Sequence, residues 1–229
     1  MDFTFLFLAL IAAIAAWWCV QQRLTAKPWL EPGAIANTGA SSLPAAKIGL
    51  AVFLAVVGCL FTLLISVYSM RMVMGEWRPA PVPKLLWLNT GVLILSSGAL
   101  QWAQVAARRG KMDGVRAGLL AGGVFAFAFL VGQLIAWRQL DAAGYYLTAN
   151  PAAAFFYLIT GVHGLHILGG QVALGRTMDK AWQGVAVGKV RLSVELCATY
   201  WHFLLLIWLV LFALLLLTDP IVADSGWFL

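Results

Sequence analysis

Residues 151–174 read PAAAFFYLITGVHGLHILGGQVAL, a run with no Asp, Glu, Lys or Arg and two histidines near its centre. An α-helix rises about 1.5 Å per residue, so the run reaches across the roughly 30 Å of hydrocarbon in a bilayer. Pro151 stands first, where a helix tolerates the missing N–H. The same reading extends outward in both directions. Runs 3–20, 48–69, 85–107, 117–137 and 196–218 are equally free of charge. With 62% hydrophobic and only 10% charged residues, the chain has too little polar surface to coat a water-soluble fold. The sequence predicts an all-α, polytopic transmembrane helix bundle of six spans, one N-terminal helix followed by five in close succession.

Lys and Arg accumulate on the cytoplasmic side of membrane proteins. Six spans place Arg23, Lys27, Lys47, Arg108, Arg109, Lys111, Arg116, Arg176, Lys180, Lys189 and Arg191 on one side, and Arg71, Arg78, Lys84 and Arg138 on the other. Eleven of the fifteen cations therefore share the side read as cytoplasmic, which predicts that both termini lie on the periplasmic or external side. Topology and anionic headgroups account for the net charge of +6, and nothing calls for nucleic acid. Run 3–20 carries Ala12, Ala13, Ala15 and Ala16 near its end, as a signal peptide would. Asp2 before it and Arg23 and Lys27 after it reverse a signal's charge order, so it is expected to stay as a helix.

The longest connection, 21–47, holds Pro28, Pro32, Gly33 and Pro44 and forms the one architectural boundary. The chain reads as a single membrane domain, 1–229, with an extra N-terminal helix and loop at 1–46 and a five-helix bundle at 47–218. Gly118, Gly122 and Ala126 recur every four residues on the fourth span, and Gly169 with Ala173 does so on the fifth. Both stripes predict close approach of helix backbones. Cys19, Cys59 and Cys197 have no paired spacing and read as small apolar packing residues, not as metal ligands or a disulfide.

Polar residues inside the spans are few. His163 and His166 are three apart and share a helix face with Thr160 and Gly170; Glu195, Thr199 and His202 share one at spacings of four and three. Counted from the inner ends of their runs, His166 and His202 lie at similar depth, roughly 9 to 12 Å from the boundary. An imidazole in hydrocarbon is costly unless a partner bonds it. The expectation is a structural polar cluster of His163, His166, Glu195, Thr199 and His202. A zinc site would need further ligands, and the pattern of two His flanking a Glu is absent. A haem would need axial histidines near mid-membrane, and His163 alone has that depth. For acid–base chemistry, Glu195 and His202 form the one conceivable pair, near the membrane edge. A transporter would show inverted repeats and a midplane carboxylate, and neither is seen. No catalytic or metal-ligating residue is assigned.

The segment TGVHGLHILGGQVAL at 160–174 resembles the signature helix of subunit III of the haem-copper terminal oxidases, the cytochrome c oxidase subunit III family with its quinol oxidase counterparts. Trp87, Leu88, Asn89 and Thr90 with Ser96 and Ser97 resemble that family's Asn-Thr and paired-Ser helix. Phe155, Phe156 and Tyr157 fit before the signature. Glu195, Tyr200, Trp201, His202, Phe203 and Trp208 resemble its last helix. The resemblance covers about residues 47 to 217, five helices in the family's order. Members often have seven helices in two groups about a lipid-filled cleft, while shorter bacterial forms keep the last five.

This resemblance implies a non-catalytic integral membrane subunit of a proton-translocating cytochrome c or quinol oxidase in the bacterial cytoplasmic (inner) membrane. The chain itself would bind no redox cofactor. Haem and copper would reside in subunits I and II, its partners, with cytochrome c or quinol as donor to the complex. Subunit III would hold structural phospholipids and sustain proton-coupled O2 reduction. Arg23, Lys47 and Arg176 at the inner boundary and Arg71 outside are candidates for lipid headgroups, being cations at span ends. Two positions depart from the family pattern. Val57 stands where members commonly carry a buried carboxylate, and Leu205 stands where they carry Asp two residues after Trp-His-Phe. No proton-handling role is expected through either. An accessory subunit of a nitric oxide reductase and a small membrane transporter are the alternatives.

Overall fold

A computed structural model describes residues 45–77, 81–147, 150–184 and 187–218. The predicted helix at 3–20, with Cys19, and the lipid candidate Arg23 lie outside the described residues. Five helices follow in order: α1 (Ala45–Arg71), α2 (Leu85–Arg108), α3 (Met112–Ala142), α4 (Pro151–Trp182) and α5 (Val187–Leu217). They coincide with the second to sixth uncharged runs. Two compact units meet at Phe53 and Leu54. The described part of the first is the opening of α1; the second holds the remainder.

Local chemistry sets the helix ends. At the start of α4, the Asn150 side chain accepts from Ala153 N at 3.0 Å, with Pro151 in the first turn. Past α2, Gly110 adopts φ 71° while Lys111 N donates to Ala106 O and Gly110 N to Ala107 O. Past α3, Gly144 at φ 87° does the same, with Tyr145 N donating to Leu140 O. A residue with a Cβ is strained in that conformation, and these crossed bonds satisfy carbonyls the helix leaves open.

From Leu54 onward the helices alternate up and down. α2 packs on α3 and α5, and α4 packs on the same two, closing a four-helix ring. α1 lies against this ring through side chains. Phe61 meets the rings of His163 and His166 on α4, and the Tyr68 hydroxyl pairs with the Thr218 hydroxyl at 2.8 Å beyond the end of α5.

Four helical segments among the described residues are long and apolar enough to cross a membrane: α1, α3, α4 and Val190–Leu217 of α5. The expected six spans are therefore not all matched. α2 is 24 residues long, but Asn89, Thr90, Ser96, Ser97, Gln101 and Gln104 lower its apolar character. The first four of these are buried against neighbouring helices.

Small residues set the α2–α3 distance. A Cβ on Gly118 would sit 2.7 Å from Ala103 Cβ and 2.8 Å from Ala99 O, and one on Gly122 would sit 2.7 Å from Leu100 Cγ. Ala126 is fully buried on the same stripe. The expected stripe on α4 is displaced by one position. Gly169 has nothing within 4 Å and Ala173 is exposed. The close contact falls at Gly170, where a Cβ would meet Tyr200 Cε1 at 2.7 Å and Trp201 Cζ3 at 2.9 Å. Successive residues on a helix point about 100° apart, so only one of two adjacent glycines can face α5.

Candidate functional site

Intramembrane polar groups on α2 to α5 are engaged mainly with one another. Ser96 Oγ donates to Gly122 O at 2.7 Å, and Gln171 Nε2 donates to Gly123 O at 2.9 Å, so two neighbouring carbonyls of α3 are bonded by flanking helices. Trp208 Nε1 donates to Thr90 Oγ1 at 2.9 Å, tying α5 to α2. Trp137 Nε1 donates to Thr160 Oγ1 at 3.0 Å, tying α3 to α4. Asn89 Nδ2 reaches Gln133 Oε1 at 3.5 Å beside Gly132, which carries no Cβ in the way of the Asn89 amide. In hydrocarbon, where water offers no alternative partner, such bonds hold helices at fixed rotation.

The histidines occupy three different surroundings. His163 is fully buried, its ring flanked by Phe61, Phe129 and Trp208 with centroids 6.1, 5.9 and 5.3 Å away. Neither ring nitrogen has a hydrogen-bond partner. His166, one turn along, is half-buried; its Nδ1–H donates to Val162 O at 2.8 Å, while its own carbonyl accepts from the Tyr200 hydroxyl at 2.8 Å. His202 is exposed on the bundle surface yet bonded at both nitrogens. Its Nε2 lies 2.9 Å from Gln101 Oε1 and its Nδ1 2.5 Å from Ser97 Oγ. An amide oxygen only accepts, so Nε2 carries the proton; the neutral ring then accepts at Nδ1 from the Ser97 hydroxyl.

The structure thus divides the expected polar cluster. Contacts of His163 with Trp208 and of Gly170 with Tyr200 and Trp201 set the antiparallel register of α4 and α5. That register puts His166 and His202 about 4 Å apart in depth by helical rise. They face different neighbours, because α5 packs between α4 and α2 and turns Tyr200 and Trp201 to one, His202 to the other. Thr199 Oγ1 donates to Glu195 O within α5, and Glu195 is half-buried. Among the described residues, no three His, Cys, Asp or Glu side chains are grouped to hold a metal ion. Cys197 is buried beside the Thr177 hydroxyl at 3.4 Å, and Cys59 is exposed; both are free.

Of the lipid candidates, Lys47 is half-buried at the start of α1, Arg176 is exposed near the end of α4, and Arg71 lies 3.7 Å from Glu76 in an ion pair. Val57 is buried and Leu205 half-buried. Three residues absent from the sequence-based site tie helices together: Gln101, Gln133 and Gln171. Their signal is an amide within a run free of charged residues.

An all-helical bundle with apolar outer faces and polar groups bonded between its helices defines an integral membrane protein. Residues 46–218 match the family model for cytochrome c oxidase subunit III, and the chain belongs to that family. It is 34% identical over 149 residues to the probable cytochrome c oxidase subunit 3 of Mycobacterium tuberculosis, covering 62% of this chain and 71% of that one. With cytochrome c oxidase subunit 3 of Synechocystis sp. it shares 31% identity over 175 residues, 74% of each chain. With that of Thermostichus vulcanus it shares 32% over 173 residues, 73% of this chain and 85% of the other. The chain is a subunit III of a haem-copper oxidase, a membrane component of an oxidoreductase complex associated with the other oxidase subunits.

Proposed function

We propose that this chain is a non-catalytic subunit that packs beside subunits I and II in the bacterial cytoplasmic membrane, crosses it six times with both termini outside, and stabilises the complex during turnover. Subunits I and II would hold haem and copper and take electrons from cytochrome c or quinol. α2 would be one span. Its 24 residues rise about 36 Å, and burial of Asn89, Thr90, Ser96 and Ser97 removes its most polar groups from lipid. The run 3–20 would supply the remaining one.

The observation that carries the structural role is the engagement of His202 at both nitrogens by Ser97 and Gln101. A ring so held fixes α5 against α2 and has no free lone pair for a metal or a reacting proton. The test is His202→Ala in the affinity-purified complex. Reduced recovery of assembled complex with unchanged turnover per haem is expected. Full recovery with turnover abolished would overturn the reading.

A further inference from the structure

The six methionines of the chain are unevenly placed, for Met70, Met72 and Met74 fall within five residues where α1 ends. All three are exposed, as is Val73 between them. Elsewhere among the described residues, the large apolar side chains exposed on the bundle are Leu, Val, Ile and aromatic rings, with no further Met. Contact with lipid therefore does not account for the choice of a thioether at three alternate positions.

The backbone that carries them is fixed. Past α1 the chain keeps winding: Met72 N donates to Tyr68 O at 3.1 Å, Met74 N to Arg71 O at 3.1 Å, and Trp77 N to Met74 O at 3.0 Å. The Trp77 ring meets Tyr68 edge to face at 4.9 Å and Phe155 of α4 at 6.3 Å, which latches the turn to the bundle. Met70 and Met74 are about 6 Å apart along the winding, with Met72 between them. Each side chain has three rotatable bonds with which to bring its sulfur round. Arg71, the one cation from Met70 to Met74, lies 3.7 Å from Glu76, whose carboxylate offsets its charge.

Flexible thioethers on a fixed turn are a donor set that selects a soft cation. We infer that Met70, Met72 and Met74 form a binding site for the cuprous ion, on the outer side, where loop charge places Arg71. Met70 and Met74 supply the first two sulfurs, and Met72, on the exposed turn past the helix end, closes the site as the third ligand. The sulfurs replace solvent on the ion; no electron moves and no proton leaves, because a thioether carries none. Three neutral ligands leave the ion its full charge, so it passes readily to thiolate or imidazole donors. The site thus holds copper in passage and not as a resident cofactor. Zn²⁺ finds no nitrogen, oxygen or thiolate donor among the three. The inference goes beyond the structural role proposed above, and only the outer placement rests on that reading.

The test uses the full chain in mild detergent, with Cys19→Ser and Cys59→Ser to remove competing thiols and with carbon-13 in the methionine methyls. It is titrated without oxygen with Cu(I) added as its acetonitrile complex. Saturable shifts of the Met70, Met72 and Met74 methyl signals are expected, complete at one equivalent, while those of Met112 and Met178 stay in place. Affinity should be the same at about pH 5 and about pH 7, since no ligand has a proton to lose, whereas a histidine site would weaken on acidification. Met70→Leu with Met74→Leu keeps size and apolarity and should lower affinity about tenfold or more. Zn²⁺ should shift none of the three signals. Absence of shifts at one equivalent, equal shifts at Met112 and Met178, or an equal response to Zn²⁺ would overturn the site. Labelling of Val73→Cys by a membrane-impermeant maleimide on right-side-out vesicles reports the side separately. An unlabelled thiol there would overturn the outer placement and leave the binding result standing, so the two failures are distinguishable.

Discussion

The seam between α2 and α3 and the seam between α4 and α5 join antiparallel helices in one bundle by different means. The first brings backbone close to backbone: Gly118 faces Ala99 O and Ala103 N, and Ser96 bonds the Gly122 carbonyl. The second is filled by rings: Tyr200 and Trp201 lie over Gly170, and Trp208 lies over His163. The difference matters because lipid tails are as apolar as a leucine side chain, so burial in a bilayer does not by itself drive helices together. One seam relies on close backbone approach, the other on ring area, with the Tyr200 hydroxyl bonding the His166 carbonyl across it. The first should tolerate almost no added volume, the second a little.

The strongest way to break that contrast is Gly118→Leu. Its side chain would displace backbone atoms of α2, and a loss of about 3 kcal/mol is expected, read as a shifted midpoint in detergent unfolding of the purified chain. Gly170→Ala meets only ring atoms, which swing aside more easily than a backbone, so about 1 kcal/mol is expected in the same assay. A larger loss at Gly170 than for Gly118→Ala would reverse the ordering. His202→Phe keeps ring volume and removes both bonds to α2. Membrane hydrogen bonds are worth about 0.6 kcal/mol on average, so roughly 1 kcal/mol should be lost and largely absent in a Ser97→Ala, Gln101→Ala background. His163→Phe sharpens the comparison from the other side. A buried ring with no hydrogen-bond partner loses none on replacement, and stability should stay within about 1 kcal/mol of the wild type or rise. Gly169→Ala, facing open space, should change stability by less than about 0.5 kcal/mol.

Much of the bundle was legible because exclusion of charge is a property of the chain read in one dimension. The runs at 48–69, 85–107, 117–137, 151–174 and 196–218 each became one helix. The Gly118, Gly122 and Ala126 stripe was legible because positions four apart stack on one face. The α4 stripe was not, because Gly169 and Gly170 are adjacent and composition does not tell which faces a neighbour. Spacing along α5 put Glu195, Thr199 and His202 on one face but left open whether that face meets α4 or α2; only packing of α5 between the two decides it. Gln101, Gln133 and Gln171 carry no charge and follow no metal or catalytic spacing, yet they bond across helices. The bare nitrogens of His163 were equally hidden, since its aromatic neighbours come from three other helices.

The central claim is that this chain serves as a non-catalytic subunit within a haem-copper complex. Mild-detergent affinity purification of the chain from its native membrane, with a reduced-minus-oxidised visible spectrum of the eluate and mass spectrometry of its subunits, tests it most directly. The account predicts haem bands in stoichiometric company with a larger haem-bearing membrane subunit, and no haem on the chain once that subunit is stripped away. A colourless chain, folded and alone under the same conditions, would contradict it.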